Sequence, residues 1–209
     1  MTLSPQMLFH DNVRNRTPVI AIIRGGEDAS EHLAVFEWLK TSGVEIVEVT
    51  TNTPNWPTLV SQAKEFGFSD VGVGTVVTVA HVEQADACGA SFTVAPGLDS
   101  AVVKACNKVG LAHLPGVMTP SEIQQAMALG LSLVKLFPAG SLGIDYLRSL
   151  QGPFGEVSFV PTGGVSLDSA PAWLDAGAVA VGIGGALVSA DQTKREQMKS
   201  QIRALSERT

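Results

Sequence analysis

Short apolar runs rich in β-branched residues alternate with longer amphipathic stretches along this chain, and this order constrains the fold more than any other feature. Such an alternation predicts parallel strands that are joined by crossover helices. Consecutive runs lie about as far apart as one strand, one loop and one helix require. The eight runs are residues 19–24, 44–50, 70–76, 91–96, 112–117, 133–138, 158–164 and 178–185.

The segment after the first apolar run and the length of the chain favour a closed barrel over an open sheet. Periodicity alone does not separate a (β/α)8 barrel from a doubly wound sheet, because both alternate strands and helices. The first run, however, leads into RGGED instead of the GxGxxG turn that binds dinucleotides in doubly wound sheets. At 209 residues the chain has the length of one small barrel. We therefore expect a single α/β domain over residues 1–209, a (β/α)8 TIM barrel in which residues 1–18 form an extra N-terminal capping helix.

The charge balance argues against nucleic acids and anionic membranes as partners. The chain carries a formal net charge of −6 at pH 7, with a pI near 5.1 and no basic stripe. Its first 18 residues are polar and interrupted by charges, unlike a signal peptide or a membrane span. We expect a cytoplasmic protein whose partners are small molecules.

Neither the cysteines nor the histidines have the spacing of a metal site. Cys88 and Cys106 stand apart in stretches that favour helix, which is typical of small buried thiols. The histidines lack the paired or i, i+4 spacing that binds metals, so we expect no metal and no cofactor. The four histidines are His10, His32, His81 and His113.

Three charged residues lie inside or near the carboxyl ends of predicted strands that should be buried and apolar. Arg24 ends the first run, Glu48 lies near the end of the second, and Lys135 lies inside the sixth. Because an unpaired ion is strongly disfavoured in a low-dielectric interior, each residue needs either a salt bridge or a function. The carboxyl ends of barrel strands converge on one mouth, so the three side chains are expected to face a common pocket.

The apolar surroundings of Lys135 favour a catalytic function. Burial destabilises the ammonium form, lowers the lysine pKa and makes a nucleophilic amine available at neutral pH. Such an amine adds to a keto group and forms an iminium, which accepts electrons from a neighbouring carbon–carbon bond. Glu48 can carry the protons that these steps need, and Arg24 with Thr75 can hold an anionic substrate.

Glycine-rich loops follow the last two predicted strands. PTGGV and GIGGA both offer backbone N–H groups that no side chain obstructs. In barrels, loops of this kind before helix N-termini bind phosphate. The sequence therefore favours a phosphate site at Gly163, Gly164, Gly184 and Gly185.

An ordered set of motifs resembles the 2-keto-3-deoxy-6-phosphogluconate (KDPG) aldolase family, which includes 4-hydroxy-2-oxoglutarate (KHG) and 2-keto-3-deoxy-6-phosphogalactonate aldolases. The motifs are AIIRG, EVT, GVGTV, VAPG, LPGVMTPSE, VKLFPAG and FVPTGGV, in that order between Val19 and Val188. The resemblance implies a metal-free class I aldolase that releases pyruvate and acts as a homotrimer. KDPG would give glyceraldehyde 3-phosphate as the second product, and KHG would give glyoxylate.

The same resemblance implies functions for individual residues. The Schiff-base lysine of the family falls on Lys135 and its proton-shuttling glutamate on Glu48. The implied substrate contacts are Arg24, Thr75, Pro96, Phe137 and Thr162, and the implied phosphate loop includes Gly163 and Gly164.

Two positions depart from the pattern of some family members. Asn52 stands where some members carry an arginine, so Arg24 is expected to contribute more to binding of the substrate carboxylate. Gly185 stands where some members carry a phosphate-binding serine, which predicts weaker phosphate binding or a different substrate. The stretch NTPNW is similar to the galactonate branch, so the epimer of the substrate stays open.

Two other functions remain alternatives. A phosphosugar isomerase, an epimerase or a thiamine-phosphate-synthase-like barrel would share the glycine loops, although a metal-dependent epimerase needs inward histidines and aspartates that these strands lack. A non-catalytic barrel that binds phosphometabolites would have no reason to enclose Lys135 among apolar residues.

Overall fold

Strands and helices alternate in the computed structural model of this protein, which describes residues 4–25, 29–185, 187–188 and 192–207. The strands are β1 (Val19–Ile23), β2 (Ile46–Thr50), β3 (Asp70–Gly74), β4 (Phe92–Val94), β5 (Ala112–Leu114), β6 (Gly116–Val117), β7 (Leu133–Leu136), β8 (Ser158–Pro161) and β9 (Val181–Ile183). The helices are α1 (Pro5–Arg14), α2 (Ala29–Thr41), α3 (Trp56–Glu65), α4 (Val79–Ala87), α5 (Ser100–Val109), α6 (Pro120–Ala128), α7 (Ala139–Leu142), α8 (Ile144–Gln151), α9 (Ala170–Asp175) and α10 (Gln192–Ser206). Each predicted apolar run contains a strand, which confirms the α/β class.

The strands form one curled, parallel arrangement. Six of them make a sheet in the order β5-β4-β3-β2-β1-β9, and three make a second sheet in the order β6-β7-β8. Every strand pair in the described residues is parallel. A parallel bridge between Thr162 and Gly182 places the end of β8 beside β9. The carboxyl ends of the strands from both sheets therefore lie at the same side of the molecule.

A proline divides the strand that was expected over residues 112–117. β5 ends at Leu114 and β6 begins at Gly116, so Pro115 lies between the two sheets. Proline has no N–H group to donate to a neighbouring strand, and it interrupts the ladder here. The Pro115 carbonyl still accepts a hydrogen bond of 2.9 Å from the backbone N–H of Lys135. The segment thus keeps its place beside β7 although it is not one regular strand.

Side chains of the strands alternate between an inner and an outer layer. The inner layer is enclosed by the curled sheet, whereas the outer layer packs beneath the helices. Ile46 belongs to the inner layer, and Val47 and Val49 belong to the outer one. Glu48, two residues after Ile46, is therefore directed into the enclosed interior.

Helix α1 lies against the starts of the strands. Phe9 stacks on Phe92 of β4, with 4.2 Å between the ring centroids. Asp70, the first residue of β3, accepts hydrogen bonds from Asn12 at 3.0 Å and from Arg16 at 2.6 Å. Helix α1 therefore covers the interior at the amino ends of the strands.

Local capping sets the ends of several helices. Thr119 and Glu122 form a capping box at the start of α6. Asp99 accepts a hydrogen bond from the N–H of Ala101 at the start of α5, and Gly110 ends that helix with φ of 76°. Among the described residues, no helix is long and apolar enough to span a membrane.

His113 is a buried ionisable group in the outer layer. It is 1% exposed, and its Nδ1 lies 2.8 Å from the Thr93 hydroxyl. Its Nε2 has no hydrogen-bond partner among the described residues. Burial lowers the pKa of His113 to about 4, because the imidazolium would lose its hydration. The folded protein therefore keeps this imidazole neutral.

We predict that His113 contributes to acid destabilisation. The unfolded chain protonates this imidazole near the ordinary histidine pKa of 6.5 and the folded chain only near 4, so stability is complete above pH 6.5 and falls between these values. The loss amounts to roughly 3 kcal/mol at most. Urea unfolding across this pH range should show a flatter pH dependence for His113→Gln than for the wild type. Equal slopes for the two proteins would contradict the assignment.

Candidate active site

Strand β7 carries Lys135 into the enclosed interior. The side chain is 3% exposed, and its backbone pairs with Gly116 on one side and Val160 on the other. Its Nζ lies 4.9 Å from the centroid of the Phe137 ring, a distance at which the aromatic face attracts a cation. The apolar residues that flank Lys135 in the sequence belong to the packed strand, so the amine cannot reach bulk water without leaving the interior.

Lys135 opens into a pocket of about 310 Å³ at the carboxyl ends of the strands. This pocket brings together eight of the residues that were predicted for the site. It is lined by Ile22, Arg24, Lys135, Phe137, Thr162, Gly163, Gly164, Val165, Gly182, Gly184 and Gly185. The predicted nucleophile and both predicted glycine loops therefore share one cavity.

Glu48 is buried in the same interior and is not one of the residues that line the described pocket. It is 2% exposed, and its Oε1 has no hydrogen-bond partner among the described residues. Burial raises the pKa of Glu48, while the positive charges of Lys135 and Arg24 oppose that rise. A carboxyl group with a raised pKa can both accept and donate a proton near neutral pH.

The pKa of Lys135 is lowered by the same surroundings. Burial is the largest cause, and the charge of Arg24 acts in the same direction, while the charge of Glu48 opposes both. In the described structure Lys135 and Glu48 interact electrostatically, but they do not form an ion pair within 4.0 Å. The lowered pKa makes the amine more available as a nucleophile than that of an ordinary lysine.

Arg24 follows β1 and lies at the wall of the pocket with an exposed side chain. The sequence placed it at the end of the first strand, and β1 in fact ends one residue earlier. The next residue, Gly25, is held from two directions. Its carbonyl lies 2.8 Å from Nε2 of His32, and its N–H donates to the Thr53 hydroxyl at 3.3 Å. Neither His32 nor Thr53 was expected near the site, because only the folded turn brings them to it.

Thr75 and Pro96 lie at the same side of the molecule but do not line the pocket in the described structure. Thr75 has a positive φ of 60°, and its carbonyl accepts a hydrogen bond of 2.9 Å from the Thr51 hydroxyl. Pro96 is exposed, and its carbonyl packs where Gly116 has no side chain. Both residues were expected within the ends of predicted strands, but β3 ends at Gly74 and β4 at Val94. A contact with substrate would require a ligand that extends beyond this cavity.

The loop after β8 is packed tightly against the loop after β7. Gly163 has φ of 83°, and a Cβ atom there would lie 2.8 Å from the Phe137 ring. The N–H of Gly140 donates to the Gly163 carbonyl at 2.7 Å, and the N–H of Ala139 donates to the Thr162 carbonyl at 2.8 Å. Gly163 therefore belongs to the glycine loop and also packs against Phe137, next to Lys135. The sequence did not indicate this second contact.

Gly184 and Gly185, which follow β9, have more space. A Cβ at Gly184 would be in ordinary contact with Ile22 at 3.5 Å, and a Cβ at Gly185 would meet no described atom within 4 Å. Gly182 is different, because a Cβ there would lie 2.4 Å from the Thr162 hydroxyl. Gly182 lines the pocket and was missed, since one more glycine in an apolar run carries no signal in the sequence.

The described residues contain no group of three or more histidine, cysteine, aspartate or glutamate side chains that could hold a metal ion. The pocket instead offers a lysine, an arginine, a hydroxyl and backbone groups of glycine loops. These groups can form a covalent adduct with a carbonyl and bind anions.

Comparison with known proteins gives the family of this chain. The sequence matches the family profile of KDPG and KHG aldolase over residues 10–205. The chain belongs to this aldolase family. A curated 2-dehydro-3-deoxy-phosphogluconate aldolase of Treponema pallidum is 36% identical over 174 residues, with 82% of each chain covered.

Solved structures of this aldolase family have the same architecture. The KDPG aldolase of Zymomonas mobilis ZM4, solved with 3-phosphoglycerate, superposes with a TM-score of 0.83 and 31% identity over 93% of this chain and 95% of that one. The KDPG aldolase of Legionella pneumophila, with pyruvate captured as a covalent carbinolamine intermediate, has a TM-score of 0.77 and 27% identity over 98% and 97%. Membership of a lyase family also makes an isomerase, an epimerase or a non-catalytic barrel the weaker interpretations.

We predict that Arg24 helps to lower the pKa of Lys135. Replacing Arg24 by glutamine removes a positive charge that disfavours the ammonium form, so the pKa of Lys135 should rise. Carbon-13 NMR titration of the lysine Cε resonances should show this shift in Arg24→Gln. Arg148→Gln, which removes an exposed arginine paired with Asp145 on α8, should leave the Lys135 titration unchanged. An unchanged or lower pKa in Arg24→Gln would rule out this electrostatic effect.

Proposed function

We propose that this chain is a class I aldolase that cleaves KDPG into pyruvate and glyceraldehyde 3-phosphate through a Schiff base on Lys135. The observation that carries the proposal is a buried lysine amine with a lowered pKa at the wall of the pocket. Family membership supports the reaction, since the curated relative from Treponema pallidum carries the name of this aldolase.

The lysine chemistry follows from the position of the amine. The neutral Nζ of Lys135 attacks the C2 keto carbon of the substrate and gives a carbinolamine, which loses water and becomes an iminium. The iminium accepts the electrons of the C3–C4 bond as the C4 hydroxyl loses its proton, so the aldehyde leaves and an enamine remains. Protonation of C3 and addition of water then release pyruvate and regenerate the amine. The Phe137 ring beside Nζ would stabilise the positive charge of the iminium.

Glu48 is the proposed acid and base for these proton transfers. Its carboxyl group is buried in the same interior and interacts electrostatically with Lys135. The raised pKa lets the group take the C4 hydroxyl proton and return protons to C3 and to water. Arg24 and Thr162 line the pocket and are the proposed partners of the substrate carboxylate, with Thr75 and Pro96 as outer contacts.

The glycine loops are the proposed phosphate site. Gly163, Gly164, Gly184 and Gly185 line the pocket. Backbone N–H groups of glycine-rich loops are suitable donors for a phosphate dianion. The Zymomonas mobilis relative was solved with the phosphorylated compound 3-phosphoglycerate, which supports this proposal.

A second substrate is favoured by Gly185. This residue offers no hydroxyl to a phosphate group. Its absence should weaken the binding of a phosphorylated substrate more than the binding of an unphosphorylated keto acid. We therefore include KHG, which would give pyruvate and glyoxylate, as an alternative substrate. The galactonate epimer of KDPG is a further alternative, because the described pocket offers the same anion-binding groups to both epimers.

We further propose that the two sheets form one closed eight-stranded barrel in a single domain that assembles as a homotrimer. Closure is supported by the Thr162–Gly182 bridge and by a hydrogen bond of 3.1 Å from the N–H of Val179 to the Phe159 carbonyl. The exposed apolar side chains of Val77, Val79 and Met118 are candidates for a subunit contact. Sedimentation equilibrium would test the trimer.

The decisive test of the proposed reaction is covalent trapping. Pyruvate and borohydride should leave a stable mass increase on one lysine of the wild type, because reduction fixes the imine. Lys135→Ala should lose both trapping and KDPG cleavage, whereas Lys104→Ala, which changes an exposed lysine on α5, should keep both. Trapping that persists in folded Lys135→Ala would place the nucleophile elsewhere.

We predict that Gly185 reports on phosphate binding without disturbing the lysine. A valine there has space in the free protein but would obstruct an anion that approaches the loop backbone. Gly185→Val should raise KM for KDPG by about 10- to 100-fold, as expected for the loss of one charge-assisted hydrogen bond. Its rate of pyruvate trapping should not change. Gly152→Val, at an exposed glycine after α8 that also has free space, is the matched control. Equal wild-type kcat/KM values for KDPG and KHG would count against the phosphate site.

A further inference from the structure

Gly74 and Glu48 are diagonal neighbours on two paired strands. In the register of β2 and β3, Glu48 lies opposite Gly72, and Thr50 lies opposite Gly74. Residues two apart on a strand share a face, so Glu48 and Gly74 face the same enclosed interior. Gly74 is also the last residue of β3, at the end where the strands approach the pocket.

The Glu48 carboxyl group lies directly over the bare Cα of Gly74. A Cβ atom at Gly74 would lie 1.8 Å from Oε1 of Glu48, 2.5 Å from Cδ and 2.7 Å from Cγ. These distances are far below van der Waals contact, and all three atoms belong to the carboxyl end of one side chain. Oε1 has no hydrogen-bond partner among the described residues, so packing, and not a donor group, sets the direction of this oxygen.

The backbone at Gly74 is held more firmly than the end of the Glu48 side chain. The N–H of Thr51 donates to the Gly74 carbonyl at 2.9 Å, and the Thr51 hydroxyl donates to the Thr75 carbonyl at 2.9 Å. Thr75 itself has a positive φ of 60°, which leaves the strand end little freedom to adjust. An added methyl group at Gly74 would therefore displace the carboxyl group, because moving the strand would break these hydrogen bonds.

We propose that Gly74 is a positioning residue for Glu48, whose carboxyl group reaches the reacting atoms only because this strand position has no side chain. The inference rests on the proposed function of Glu48 in proton transfer. It adds a requirement on β3, a strand that contributes no residue to the lining of the described pocket. A larger residue at Gly74 would leave the fold in place and turn the carboxyl group away from Lys135.

Gly72 provides a matched control on the same strand and the same face. A Cβ there would lie 2.4 Å from the Phe92 ring, which stacks on Phe9 of α1. Gly72→Ala therefore introduces a comparable overlap, and the three nearest atoms that it meets all belong to Phe92. Its expected effect is a lower melting temperature, with kcat of the folded protein retained.

The test is a double-mutant cycle between Gly74→Ala and Glu48→Ala, with KDPG cleavage as the assay. Gly74→Ala alone should lower kcat by at least about 10-fold with little change in KM, since general acid–base catalysis contributes roughly 10²- to 10⁴-fold. Glu48→Ala removes the three atoms that an alanine at position 74 would meet. The double variant should therefore have the same kcat as Glu48→Ala, and Gly72→Ala should combine additively with Glu48→Ala.

Each outcome of this cycle separates the inference from the proposed function. An unchanged kcat in Gly74→Ala, or an equal loss in both backgrounds, overturns the inference while a slow Glu48→Ala still supports proton transfer by Glu48. A normal kcat in Glu48→Ala overturns both. If Gly74→Ala folds only in the Glu48→Ala background, the steric contact is confirmed, and if it folds in neither, the glycine serves the strand and the inference fails.

Discussion

The site depends on the burial of a basic amine. An ammonium group at Lys135 would lose most of its hydration, and the described structure gives it no ion pair to replace that hydration. The Phe137 ring and the charge of Glu48 offset only part of this loss. The balance lowers the pKa of Lys135 and so raises the share of the neutral amine, which is the reactive form. The same burial that is unfavourable for a charged lysine therefore prepares it for attack on a carbonyl group.

The order of strands could be predicted from the sequence because each element carries its own signal. Apolar runs, polar helix faces and capping residues are local, and the structure follows them to within a few residues. The division at Pro115 was missed because the run AHLPGV reads as one strand by composition. The cause of this division is also local, because Pro115 has no N–H group and lies between the two sheets. A proline inside a predicted strand could therefore have been taken as its end.

The candidate site was predictable where a residue is anomalous for its place in the chain. Lys135 and Glu48 stand out because they are charged residues within strands that are otherwise buried and apolar. The contacts of Gly163 with Phe137 and of Gly74 with Glu48 join different strands and loops, and a glycine in the sequence does not reveal which atom occupies the space it leaves. The side chains of His32 and Thr53 form hydrogen bonds with the backbone of Gly25, next to Arg24, and only the fold brings these residues together.

The two glycine loops differ in how closely they are tied to the lysine. Gly163 packs against Phe137, which in turn lies beside Nζ of Lys135, so a change at Gly163 reaches the reacting amine through two contacts. The described surroundings of Gly185 leave space for a side chain on the other wall of the same pocket. A side chain at Gly185 would therefore alter the proposed phosphate site while the amine keeps its environment. Within the proposed function, Gly185 is thus the easier position at which to change substrate range, whereas Gly163 is constrained by its contact with Phe137.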